Sequence, residues 1–470
     1  MKLSRRSLLA ASGKALAGYA AYSVLRPSGV AFASGFCGNI PIVELHLSGE
    51  APDHLLLCPS RLSAAWQSYS ENNADILPTR PLTVGGAELP LLGINGFPEY
   101  SLRSSLPAFQ RAINNTDPNK YSLAIVNYVG HSENRDAGHD TSWRKVSSAN
   151  LSNTIVPTIG WAGRLADLCY ANDPMALFSL RGRTLTTEAQ VARTNVVSDL
   201  SSLGFINPRA GAAMKLHLEE SFKRLRKVDP ALQNTSDRAM RSTWDAVDES
   251  VARVGLITQR YNEIPQSNRA VYGTDGLSRQ FLNAARLIRA GGFTRGSIHL
   301  SFGGWDVHSN AASAVQSLST TLNNAIDAFL TDMQFGRNDV ILLVWHGFGR
   351  NSFQNANTML DAAGRTLPNP GNDHGHGRIV SVFARGARLT RGVHGPSAYR
   401  PDDFYNPKNV RGALGWIPGG EFTNDRGTRV EGVDFREVLS QVLEQAGADP
   451  ALIIPGTVPK SRHNIKLFKA

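Results

Sequence analysis

Cysteine is scarce in this chain, with three among 470 residues. Cys37, Cys58 and Cys169 stand far apart and share no metal-finger spacing, which excludes a disulfide-dense scaffold and a zinc module. Long apolar runs are missing too. The run over residues 8–25 is broken by Gly13, Lys14 and Gly18, whereas a membrane span needs about 20 predominantly apolar residues. Charge is also thin, at 19% of residues, and the formal +10 overstates the basicity of the folded part. Residues 1–33 carry Lys2, Arg5, Arg6, Lys14 and Arg26 and no acid, so their removal takes +10 to +5. That excess is too mild and scattered for a nucleic-acid surface, and the basic residues between 460 and 469 read as a solvated end. Nothing repeats and no tract is of low complexity.

What is present starts at the N-terminus. Ser4-Arg5-Arg6-Ser7-Leu8-Leu9 sets two arginines directly before a mildly apolar run, as a twin-arginine export signal requires. Ala31-Phe32-Ala33 supplies the small-x-small pattern of a cleavage site, predicting removal of residues 1–33 and a mature protein at the periplasm or cell surface. The translocase of that pathway is then a partner during export. An oxidising compartment permits a disulfide, and proximity in the chain predicts Cys37–Cys58, with Cys169 a buried thiol.

After cleavage, apolar strand-like runs alternate with helical periodicity, which predicts an α/β sheet flanked by helices. Strands are expected at 40–47, 121–128, 175–180, 297–302, 340–345 and 379–384, and helices at 106–114, 277–290, 312–335 and 435–446. Residues 208–261 are rich in Lys, Arg, Glu and Ala without strand signal, and read as a helical insertion or cap in a single domain over 38–470. The loops 351–372 and 396–406 are long enough to suggest function.

Chemistry gathers at the expected strand ends. Gly303-Gly304-Trp305-Asp306-Val307-His308 follows one strand, and residues two apart in extended backbone point the same way, so Asp306 and His308 converge. Open α/β sheets bind ligands at the carboxyl ends of their strands. Asn372-Asp373-His374-Gly375-His376-Gly377 offers oxygen and nitrogen ligands on a loop whose glycines admit an ion closely. A lone Asp-x-His is ordinarily a polar loop; two such clusters at successive strand ends point to a metal. Arg350, in His346-Gly347-Phe348-Gly349-Arg350, suits a phosphate or sulfate. The segment 131–143 adds His139, a ligand or proton carrier, and the hydroxyls of Thr141 and Ser142. Cys58-Pro59-Ser60-Arg61 misses the sulfatase Cys-x-Pro-x-Arg spacing by one residue and is set aside.

Together the signal, Gly-Gly-Trp-Asp-x-His, Phe-Gly-Arg, Asp-His-Gly and Gly160-Trp161-Ala162-Gly163-Arg164 resemble the domain-of-unknown-function 1501 family, from about residue 40 to 446. The resemblance implies a central, mostly parallel sheet of the alkaline phosphatase and sulfatase type, with divalent ions at the strand ends. It implies that Asp306, His308, Asp373 and His374 are ligands, with Asp53 the early aspartate, and that zinc, manganese or calcium is the ion. Two departures stand out. His346-Gly347 replaces a Ser-Glu, and Gly138-His139-Asp140 stands where the family tends to read Ser-His-Phe. These replacements leave two expectations. One is an exported metal-dependent hydrolase acting on small-molecule or glycan phosphate or sulfate esters, with Arg350 orienting the anion and Thr141 supplying a hydroxyl. The other is a non-catalytic protein of the same fold that binds a glycan or a cell-envelope protein.

Overall fold

The computed structural model describes residues 37–62, 66, 91–130, 138–151, 157–197, 272–349, 378–395, 422–423, 429–430 and 432–469, short gaps inside these ranges excepted. The expected signal peptide, the helical stretch 208–261 and the loops 351–372 and 396–406 lie outside the described residues.

The chain is a mixed α/β structure built on a nine-stranded sheet. In chain order its strands are β1 (Ile42–Leu47), β2 (Tyr121–Gly130), β3 (Leu177–Ser179), β4 (Asn195–Val196), β5 (Ser297–Phe302), β6 (Ile341–Trp345), β7 (Arg378–Arg385), β8 (Gly392–His394) and β9 (Val433–Asp434). The spatial order is β8-β2-β7-β6-β1-β5-β3-β4, with β9 beside β2. Strand β7 runs antiparallel to both β6 and β2; the other pairings are parallel. The packed helices are α1 (Pro107–Asn114), α2 (His139–Ser148), α3 (Trp161–Cys169), α4 (Gly276–Gly291), α5 (Ala311–Phe335) and α6 (Phe435–Gln445). No helix among the described residues is long and apolar enough to cross a membrane.

Central parallel strands are covered on both faces, and the sequence of β1 shows how. Val43, Leu45 and Leu47 join the core beneath α1, α4 and α5, while Ile42 joins the opposite core with α2, α3 and α6. Helix α5 buries Ala311, Val315, Leu322, Ile326, Phe329 and Met333 at the three-to-four spacing of one helical face. By the same alternation Glu44 and His46 of β1 fall on the second face, where His299 of β5 also lies. All three are nearly inaccessible. A buried polar group needs a partner. Glu44 meets His299 Nδ1 at 2.7 Å and accepts the Trp345 indole N–H at 2.7 Å. His46 stacks flat on Trp143 of α2, ring centroids 3.3 Å apart. Desolvation, with His299, His346 and Arg378 nearby, holds the His46 pKa well below the usual imidazole range.

The disulfide differs from the expected pairing. Cys37 is bonded to Cys169 at the end of α3, across 132 positions. Cys58 is a buried free thiol whose pKa burial pushes up to about 12, and its S–H donates to the Ser101 carbonyl at 3.5 Å. The sheet explains the correction. Cys58 packs in the core on one face, and Cys37 and Cys169 pack against the core on the other.

Candidate functional site

The site is built where β1, β5 and β6 end. The Ser48 N–H donates to the Phe302 carbonyl at 2.9 Å, carrying the β1 pairing with β5 one residue past the strand. Gly49 then turns at φ +97°, and a Cβ there would lie 2.6 Å from the Asp306 backbone nitrogen. Only glycine permits that approach. In the β5 exit, Trp305 and Val307 are buried while Asp306 is exposed and His308 half-exposed. That alternation puts the carboxylate and the imidazole on one side, and His308 Nε2 lies 3.0 Å from Asp306 Oδ1.

His139 opens α2 and completes the group. Its Nε2 is 3.5 Å from Asp306 Oδ2, and its Nδ1 is hydrogen-bonded to Glu50 Oε2. Glu50 is 1% exposed and adopts φ +57°, a left-handed conformation that costs a residue with a Cβ roughly 1–3 kcal/mol. Its second oxygen accepts the Gly347 N–H at 3.3 Å. A Cβ on Gly347 would lie 2.7 Å from that oxygen and 3.2 Å from the Trp143 backbone nitrogen. The Glu50 carboxylate therefore fills the space a side chain at 347 would need, beside the first turn of α2. Arg378, fully buried, donates to the Gly347 carbonyl and lies 5.5 Å from the Phe435 ring centroid. Desolvation lowers its pKa to about 10, opposed by the charges of Asp53, Asp434 and Glu50.

The expected residues are thus partly assembled. His139, Asp306 and His308 come together. Thr141 lies exposed in the first turn of α2, and the adjacent Ser142 is fully buried. Asp53 sits apart from them in its bonding: Oδ1 meets His346 Nε2 at 2.9 Å, and Oδ2 accepts the Ile379 N–H at 2.9 Å. Burial pushes its carboxyl pKa up, against the pull of His346. Both groups line a small cleft with Leu47, Leu56, Phe109, Ile125 and Val344. Arg350, Asp373 and His374 lie outside the described residues.

The donor types suit a divalent ion: a carboxylate and two imidazoles. They meet pairwise, each imidazole facing a different oxygen of Asp306, and among the described residues no three His, Cys, Asp or Glu side chains gather as a metal set. Asp373 and His374, the other expected ligands, stand in the sequence before β7 and lie outside the described residues.

Glu50 is the residue that sequence reading passes over. The readable signal is an acid directly after a glycine at a strand exit, which is common in loops and carries little weight alone. Residues 184–402 match the model of a family described as a protein of unknown function (DUF1501). The match takes in Asp306, His308 and β6 through β8, and leaves Glu50 and His139 outside it. No curated protein matches the chain.

Proposed function

We propose that this is an exported, metal-dependent hydrolase-type protein acting on phosphate or sulfate esters. The observation that carries the reading is the meeting of Asp306, His308 and His139 at the carboxyl ends of parallel strands, where α/β sheets place their ligands. Asp306 and His308 would hold a zinc, manganese or calcium ion, with His139, Asp373 and His374 as further ligands. Bound there, the ion would supply Lewis-acid polarisation of the ester oxygen. His139 would otherwise serve as a proton carrier, with Nε2 lying 3.5 Å from Asp306 Oδ2. Arg350 would orient the anion, and Arg181, whose exposed guanidinium donates to the Ser301 carbonyl at 3.1 Å, adds a cation on the rim.

Export follows from the twin-arginine pattern and is supported by the Cys37–Cys169 disulfide, since such bonds persist in oxidising compartments. The substrate would be a small-molecule or glycan ester.

A second reading, a non-catalytic binding protein for a glycan or a cell-envelope partner, is favoured by the replacements at Gly138 and Gly347, where the resembled family has a hydroxyl and an acid. One experiment separates the two. Mature protein exported by its own signal is analysed for metal by elemental mass spectrometry beside an Asp306→Ala/Asp373→Ala variant. Both are assayed on aryl phosphate and aryl sulfate esters with and without chelator. Stoichiometric metal and chelator-sensitive hydrolysis, both lost in the variant, are expected. A folded, metal-free and inert native protein would leave the binding reading in place.

A further inference from the structure

We infer that Asp53 is not a metal ligand: His346 takes the place at its carboxylate that the resemblance gives to an ion, and the pair fastens the exit of β6 to the entry of β7. The consequence for the ion rests on the metal reading above; the fastening does not.

Both oxygens of Asp53 are committed inside the fold. Oδ1 meets His346 Nε2 at 2.9 Å, and Oδ2 accepts the Ile379 N–H at 2.9 Å. The other nitrogen of His346, Nδ1, faces the Phe348 carbonyl, which only accepts, so Nδ1 is a donor. His346 therefore spends both nitrogens on protein partners as well.

A ligand must also be reachable by an ion. The Asp53 side chain is 10% exposed and that of His346 1%, against 47% for Asp306. Leu47, Leu56, Phe109, Ile125 and Val344 stand around the pair. Such mostly apolar walls replace few of the waters that a divalent cation would shed on entry.

What the pair does instead is visible in what it joins. His346 directly follows β6, Ile379 is the second residue of β7, and the two strands run antiparallel with Ser381 opposite Val344. One carboxylate, from the chain just past β1, thus holds the end of one strand and the start of the other. Arg378 makes a parallel tie, donating to the Gly347 carbonyl.

The test uses the full mature chain, freed of metal, as native, Asp53→Asn, Asp53→Ala and Asp306→Ala proteins. Zinc chloride is titrated into each by calorimetry, and each is unfolded in urea. Asparagine keeps an oxygen for the Ile379 N–H and an amide for His346 Nε2, but is a poor substitute for a carboxylate ligand. Asp53→Asn should therefore bind zinc with native stoichiometry and affinity, while Asp306→Ala loses it. Asp53→Ala breaks both ties and should unfold at clearly lower urea than Asp53→Asn. Loss of a true ligand should cost at least the roughly 10–100-fold that loss of a ligand's partner does, so a folded Asp53→Asn protein weakened that far overturns the inference. An Asp53→Ala midpoint equal to the native one overturns the fastening. A native protein that takes up no zinc sinks the metal reading instead, and the difference between the alanine and asparagine midpoints still decides the fastening.

Discussion

Gly347 and Glu50 illustrate how much a single position can hide. The resemblance implies an acid at 347 where this chain has glycine, and in the structure the Glu50 carboxylate, entering from another strand end, lies in the space a side chain there would need. A through-space substitution of this kind leaves no mark on the local motif, because the two residues are 297 positions apart. It does leave a mark on stability. Gly347→Ala should cost about 1–3 kcal/mol, the usual penalty of forcing extra volume into a packed site. In a Glu50→Gly background the same change should cost much less, since the oxygen it strikes is gone. Urea unfolding of the four proteins of that cycle measures the coupling; additive costs would mean the two groups do not share the space. His46 makes a second residue-scale case. Its folded pKa lies well below the unfolded value near 6.5, so the unfolded chain binds the extra proton first as pH falls. Stability from this group is whole above about pH 6.5 and is lost below it, at up to about 1.4 kcal/mol per pH unit. His46→Phe keeps a ring against Trp143 and removes the titration. Its melting temperature between pH 7 and pH 5 should therefore fall less steeply than that of the native protein; parallel slopes would assign the acid sensitivity elsewhere.

Elements were far more legible than contacts between them. The runs at 297–302 and 340–345 emerge as β5 and β6 within one residue, and 312–335 as α5, because long periodic segments announce the face they bury. The short strands β4, β8 and β9 carry two or three residues each and give no such period. Gly160-Trp161-Ala162-Gly163-Arg164 stood out as a motif, and its role is structural. Arg164 donates to the carbonyls of Ser148, Ile159 and Ile453, tying α2, the entry to α3 and the C-terminal region together. Nearness in sequence says nothing about which side of a sheet a residue occupies, and for that reason the expected Cys37–Cys58 pairing differs from the Cys37–Cys169 bond. The true bond spans 132 positions, and cross-linking a loop of that size is worth about 5 kcal/mol on the chain-entropy account. Cys37→Ser and Cys169→Ser should each lose that stabilisation, and the double variant no more than either. Cys58→Ser should keep it, and reductant should lower the stability of the native and Cys58→Ser proteins alone. A peptide map linking Cys37 to Cys58 would contradict the assignment.

Across the whole molecule, histidine–acid pairs occupy two levels of the same sheet, and burial separates their work. Glu44 and His299 are closed in beneath Trp143, 1% and 3% exposed, and hold strands β1, β5 and β6 in register through one carboxylate that also takes the Trp345 N–H. Asp306 and His308, one strand end further on, have side chains 47% and 33% exposed and make their contact in view of solvent. Removing one partner of a buried pair strands the other and typically costs 3–5 kcal/mol. Exposed pairs contribute about 0–1 kcal/mol. His299→Ala should therefore unfold at markedly lower denaturant while any metal uptake by the remaining folded fraction is unchanged per molecule. Asp306→Ala and His308→Ala should unfold like the native protein, within about 0.5 kcal/mol, yet lose metal uptake and ester hydrolysis. Denaturant midpoints and metal stoichiometry measured on the same samples decide it. Should Asp306→Ala destabilise the fold as His299→Ala does, the outer pair would be another brace of the sheet, and the metal reading would lose the two residues that carry it.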